Sequence, residues 1–216
     1  MAAKKSAIKK PKPVVQKYTG PTDGKTRCRW CLGDAIYVTY HDAEWGTPVH
    51  DDKLLFEFLV LESFQAGLSW LTILKKRENF KKAFSNFDVK KVAKYDEKKY
   101  EALMQDAGII RNQLKIRAAI NNAQRFMEIQ KEFGSFDKYV WSFVGGKPKI
   151  NSLKTLRDIQ PRTEISDAMS KDMGKRGFKF RGSTICYAFM QAVGMVDDHL
   201  DNCWRKSKAP KPPKGA

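Results

Sequence analysis

The chain has 216 residues, 42% of them hydrophobic and 30% charged, and a formal net charge of +17. That length supports one domain or two small lobes with a sizeable core. No run approaches the roughly 20 apolar residues of a membrane span, the first residues hold no apolar stretch of signal-peptide type, and four cysteines do not make a secreted disulfide scaffold, so a reducing interior without a membrane partner is expected.

Residues 1–27 hold eight Lys or Arg against one Asp, and residues 204–216 hold five Lys or Arg and no acid, so the ends carry most of the excess charge. Both ends are rich in Lys and Pro and poor in large apolar groups. The composition predicts disordered basic tails over 1–26 and 205–216, flanking a helical domain over 27–204. Such tails raise non-specific attraction to polyanions such as DNA; a plain solubility tail is the alternative. The Lys-rich start MAAKKSAIKKPKP is like a nuclear signal, whereas a mitochondrial presequence would be richer in Arg and Ser.

Between the tails the pattern is helical, with almost no alternating strand signal. Asp51 and Asp52 open the first strong helix, and Leu55, Phe58, Leu59 and Glu62 fall on one of its faces. Leu54 and Leu61 line another, as in a core helix. Glu62 is therefore a carboxylate on a buried element, to be paired, protonated or functional. Gly67 can end this helix and Ser69 can cap the next, which begins at Trp70 and runs to about 84. A short helix at 88–94 follows. Helices over 96–107 and 112–130 come next, joined by Gly108-Ile109-Ile110-Arg111. Helices at 135–144, 165–173 and 184–193 complete the set, with a loop at 145–148. The class is all-α.

The four-residue connection reads as a helix-hairpin-helix, whose backbone N–H groups suit a DNA phosphate, with Arg111 and Lys115 in reach. An ordinary αα-hairpin is the plainer reading of the spacing. The second glycine usual in the motif is Ile110 here.

Cys28, Cys31, His41, His199 and Cys203 compete for four metal positions. Spacing alone modestly favours Cys28-x2-Cys31 with His199-x3-Cys203, a structural-zinc pattern; Cys28 with His41 is the alternative. Cys186 lies on an apolar stripe and reads as core. His50 has no partner motif and reads as exposed.

Six collinear motifs carry a resemblance: YHDxEWG (40–46), LExxQAGLSWxxxLKKRE (61–78), DAGIIR (106–111), VWSFV (140–144), KRGFKFxGxTxxYxFMQAxG (175–194) and DDHxxxC (197–203). Over residues 27–203 the chain resembles the 3-methyladenine DNA glycosylase I family of the helix-hairpin-helix DNA glycosylase superfamily. The resemblance implies a helix-hairpin-helix DNA glycosylase-like helical domain, with one structural Zn2+ joining its N- and C-terminal segments. It places the ligands at Cys28, His41, His199 and Cys203, leaving Cys31 free. It sets Glu62 and Tyr40 as catalytic residues, with Trp30, Trp45 and Trp70 around an extruded base. It also brings the loop Gln65-Ala66-Gly67-Leu68 to the gap left in the DNA, with Leu68 as an apolar wedge, and makes Gly108, Arg111 and Lys115 DNA contacts.

The implied activity is monofunctional base-excision repair: hydrolysis of the N-glycosidic bond of 3-methyladenine in double-stranded alkylated DNA, leaving an abasic site. The alternative is a zinc-stabilised DNA-binding protein of the same fold without catalysis. A monomer is expected, cytoplasmic and nucleoid-associated in a bacterium, nuclear in a eukaryote.

Overall fold

Eight of the nine α-helices among the described residues begin at an Asp, Ser, Asn or Thr whose side chain accepts a hydrogen bond from the first turn. Such a cap stabilises a helix by about 1 kcal/mol, and repeated at Asp34, Asp51, Ser69, Asp88, Asp96, Asn112, Ser135 and Thr163 it punctuates the chain. The structure is a computed structural model, and it describes residues 20–207. The helices are α1 (Ala35–Ala43), α2 (Asp52–Gln65), α3 (Trp70–Ala83), α4 (Val89–Val92), α5 (Glu97–Gln105), α6 (Gln113–Phe133), α7 (Phe136–Ser142), α8 (Glu164–Lys175) and α9 (Ser183–Ala192).

The core forms around α2. Every residue from Leu55 to Phe64 is buried, on all sides of the helix, and α3, α6, α7 and α9 pack against it. α6, the longest helix, lays Ile116, Ala119, Ala123 and Phe126 into this core. A left-handed Gly134 stops it at φ +85°.

Two features depart from the sequence pattern. Tyr40 and His41 lie on a full helix, α1, and a 3-10 turn at Arg29–Gly33 precedes it. A two-residue parallel pair, β1 (Lys149–Ile150) with β2 (Val196–Asp197), ties the 145–148 loop region to the DDH segment. A pair so short shows no alternation in sequence.

The expected disorder of the tails concerns, for residues 1–19 and 208–216, positions outside the described residues. Residues 20–26 and 205–207, which composition assigns to the same tails, are built into the domain. Trp204 N donates to Thr26 O at 2.9 Å, Arg27 Nη1 donates to Asp23 Oδ1 at 2.8 Å, and Ser207 N donates to Asp197 Oδ2 at 2.8 Å. Short-range composition does not register these long-range partners.

Candidate active site and metal centre

α2 carries two buried carboxylates with opposite surroundings. Glu57 is paired: Arg77 Nε donates to its Oε1 at 2.6 Å, and the same guanidinium holds Glu44 at 2.7 Å. Glu62 is 4% exposed and its Oε2 has no hydrogen-bond partner. No cation pairs with it among the described residues, so burial alone pushes its carboxyl up to about 8. The salt-bridge reading of a buried Glu thus belongs to Glu57, and Glu62 is the unpaired group.

Glu62 lines a cavity of about 240 Å³. Trp30, Tyr40, Trp45 and Trp70, the residues expected around an extruded base, all line it, together with Gln65. The rings brace one another at steep angles, Trp30 to Trp45 at 5.1 Å and 74° and Tyr40 to Trp70 at 5.5 Å and 57°. Edge-on and tilted contacts fix an aromatic ring while leaving a face available. Trp70 Nε1 is buried without an acceptor. The Tyr40 hydroxyl is held well above its ordinary pKa, chiefly by burial and next by the Glu62 charge. The volume suits one flat heterocycle rather than a drug-sized ligand. Its walls offer π-faces, one carboxylate and one N–H donor.

The structure adds lining residues that the sequence did not mark: Tyr37, Ile159, Ala188 and Gln191. Tyr37 also accepts from Leu71 N at 2.9 Å, fixing the start of α3. Ala188 and Gln191 lie three apart on α9 and so share a face, which sequence periodicity alone assigns to the core. Ile159 comes from an irregular segment without a pattern.

Beside this cavity, ligand atoms of Cys28, His41 and Cys203 lie within 4.8 Å of one another, all three residues buried. His199 is not in that tight group, yet its ring centroid is 5.0 Å from that of His41. Its Nε2 is buried and unpartnered. The histidines are oriented alike: Asp42 Oδ1 accepts from His41 Nδ1 at 2.8 Å, and Asp197 Oδ1 accepts from His199 Nδ1 at 2.9 Å. A carboxylate on Nδ1 leaves Nε2 as the ligating atom, the usual arrangement around zinc. Arg27 in turn holds Asp42, and Ser207 N holds Asp197, so the first residue of the expected domain and a residue of the expected C-terminal tail orient the two imidazoles. An orphaned imidazole nitrogen beside two buried thiols and a second histidine is a donor set that fits zinc. Cys31 lies outside this group, and its thiol donates to Cys28 O at 3.0 Å. Gly46, at φ +71°, faces the His199 ring so closely that a Cβ would come within 2.7 Å of Cε1. Trp45 lies edge-on to His199 at 4.6 Å, joining the candidate metal site to the cavity.

The connection between α5 and α6 spans residues 106–112, longer than the four residues expected, because Asp106 and Asn112 serve as caps. The Gly108 N–H is taken by Asp106 Oδ1 at 2.7 Å, whereas the exposed Arg111 makes no ion pair among the described residues. Lys115, expected as a DNA contact, is engaged inside the protein. It is 6% exposed, and its ammonium donates to Phe64 O at 2.8 Å and to Ala66 O. It braces the end of α2 from within. Leu68 is 41% exposed beyond Gly67, whose φ of +76° turns the loop outward. His50 is exposed, as expected, and it stacks on Trp141 and meets Asp137 Oδ1 at 2.7 Å. Cys186 is buried, as expected.

Comparison with known proteins agrees with this geometry. The profile of the family described as methyladenine glycosylase matches residues 30–206. The chain is 51% identical to DNA-3-methyladenine glycosylase 1 of Escherichia coli over 177 residues, covering 82% of this chain and 95% of that one. It is 48% identical to DNA-3-methyladenine glycosylase of Haemophilus influenzae over 178 residues, covering 82% and 96%. A crystal structure of a 3-methyladenine DNA glycosylase I superposes with a TM-score of 0.82 at 47% identity, covering 84% of this chain and all of that one. A structure addressing 3-methyladenine recognition by the Staphylococcus aureus protein superposes equally, with a TM-score of 0.82 at 40% identity over 85% of this chain and 98% of that one.

Proposed function

From the premise that the chain belongs to the methyladenine glycosylase family, we propose that it is a base-excision repair enzyme hydrolysing the N-glycosidic bond of 3-methyladenine in double-stranded DNA, with an abasic site as product. The observation that carries this reading is the unpaired Glu62 carboxyl in a base-sized aromatic cavity. A 3-methylated adenine in DNA is cationic. It gains from π-faces and from one carboxylate in a way that neutral adenine does not. Its arrival favours the ionised form of Glu62, which burial alone disfavours.

The C1′–N bond then breaks with its electron pair going to the base, which leaves neutral. Water adds to C1′ and gives up a proton to solvent. The positive charge passes from base to sugar, and a carboxylate in a dry site stabilises it throughout. Tyr40, Trp30, Trp45 and Trp70 hold the base against Glu62. Since the leaving group is already charged, little acid catalysis is needed.

In this reading the domain is of helix-hairpin-helix type, and Arg111 with the adjoining loop backbone meets a phosphate. Leu68 fills the gap in the duplex, with Gln65 and Gly67 shaping its approach. Cys28, His41, His199 and Cys203 hold one structural zinc, which crosslinks the chain ends and takes no part in a chemical step. The working form is a monomer. No described helix is long and apolar enough to cross a membrane, and the bacterial relatives favour a cytoplasmic, nucleoid-associated place over a nuclear one. The deciding assay is chromatographic detection of free 3-methyladenine released from methylated duplex DNA. Folded protein that releases none overturns the proposal in favour of a DNA-binding role.

A further inference from the structure

Asp198 is buried at 1% exposure and directly precedes the metal-site residue His199, but its carboxylate faces away from the metal centre in its bonding. It accepts from three side chains: Tyr187 OH at 2.8 Å, Asn151 Nδ2 at 2.6 Å and Gln191 Nε2 at 2.7 Å. A carboxylate only accepts, so the end of the Gln191 amide turned toward Asp198 has to be nitrogen. The other end, Oε1, receives no hydrogen bond from any described residue, and Gln191 lines the base cavity. Its main chain is fixed too, because Gly46 N donates to Gln191 O at 3.0 Å, directly after Trp45.

We propose that Asp198 locks the Gln191 side chain so that its amide oxygen faces the cavity and accepts an N–H from the exocyclic amine of adenine, making Gln191 the residue that discriminates adenine-type from guanine-type lesions. This deepens the glycosylase reading and rests on it.

The chemistry is that of base edges. Adenine carries an amino donor at position 6, where guanine carries an oxygen acceptor. Glu62 recognises the positive charge, which a 3-methylated guanine shares, so charge alone does not separate the two lesions. An amide free to rotate would offer NH2 to guanine as readily as C=O to adenine. Pinned by Asp198, it offers oxygen only, and a guanine-type O6 would meet it lone pair to lone pair. A site built to accept a hydrogen bond rejects a ligand lacking the donor far better than an apolar wall does. Asp198 is a positioning residue, acting through Gln191. Tyr187 and Asn151 donate to the same carboxylate and keep it in place.

The test compares release of 3-methyladenine and 3-methylguanine from methylated duplex DNA under single-turnover conditions, with melting temperature and abasic-DNA affinity measured on the same preparations. Gln191→Met, which keeps the length and removes the amide, is expected to slow 3-methyladenine release about five- to tenfold while leaving 3-methylguanine release unchanged or faster. Asp198→Asn, which frees the Gln191 amide to turn, is expected to narrow the ratio of the two rates in the same direction. A lowered melting temperature with both rates reduced equally would mark a purely structural role and overturn the inference, as would an unchanged ratio in Gln191→Met. Failure of the parent protein to release 3-methyladenine would instead remove the glycosylase reading beneath it, so the two failures are distinct.

Discussion

Lys115 Nζ donates to the Phe64 carbonyl at 2.8 Å, tying the start of α6 to the end of the helix that carries Glu62. Its second acceptor is Ala66 O, so the ammonium satisfies two carbonyls that the end of α2 leaves without helical partners. Lys115→Met keeps the stem and removes the donor. It is expected to destabilise the fold by about 1–3 kcal/mol, the cost of stranding buried polar groups. DNA binding should weaken through a looser Gln65–Leu68 loop, with no change in the slope of log affinity against log salt. Flattening of that slope by about 0.9 would mean that one phosphate had gone unneutralised and that Lys115 does reach DNA.

The metal prediction follows from the converging donor set. Protein purified without chelator should contain one zinc per chain. Replacing His199 or Cys203 should release it and lower the melting temperature, since binding of a structural metal is folding free energy. Cys31→Ser should keep full occupancy, because the Cys31 thiol is already engaged by the Cys28 carbonyl, whereas His199 Nε2 is buried without a partner. Metal analysis of the three variants decides the ligand set. Loss of zinc from Cys31→Ser with retention in His41→Ala would reverse it.

Removing residues 1–19 deletes six Lys and no acid. Base release at saturating protein should be unaffected, while DNA association should weaken and depend less on salt. The slope should flatten by about 0.9 log units per log unit of salt for each phosphate that the segment neutralises. An identical slope before and after truncation would reduce the segment to a solubility tail.

The legible parts of this molecule were those that depend on short-range chemistry. Asp51, Ser69, Asp88, Asp96, Asn112 and Ser135 announce the helices they cap, and the apolar stripe around Glu62 announces a buried carboxylate. What the sequence could not reveal depends on partners far along the chain. That Arg77 neutralises Glu57 and leaves Glu62 alone requires knowing where α3 crosses α2. Lys115 reads in the sequence as a lysine at a helix start; only packing shows that α2 ends against it. Gln191 is one polar residue in an apolar helix, and its meaning comes from Asp198, seven residues later beyond a turn.

The last prediction concerns Glu62, where function and stability pull in opposite directions. Burial raises its carboxyl from the ordinary 4.5 to about 8, so the folded protein retains a proton there that the unfolded chain releases. Where the native state binds more protons, stability falls as pH rises. The Glu62 contribution is thus favourable at acid pH and is lost progressively between about 4.5 and 8. Glu62→Gln keeps the shape and removes this titration. The variant should be more stable than the parent by on the order of a few kcal/mol at pH 8 and by little at pH 4. Activity should move the other way. The parental kcat/KM should climb with pH through a midpoint near 8 as the free enzyme ionises, and Glu62→Gln should lack that limb. With a charge-assisted hydrogen bond worth roughly 1.5–3 kcal/mol removed, release of 3-methyladenine should slow about ten- to a hundredfold. Affinity for abasic-site DNA should change far less, because the product has no base to meet the carboxyl. Melting curves across pH, single-turnover release and abasic-DNA binding measured together separate these effects. A Glu62→Gln protein that releases 3-methyladenine at the parental rate would remove Glu62 from the mechanism, whatever its stability.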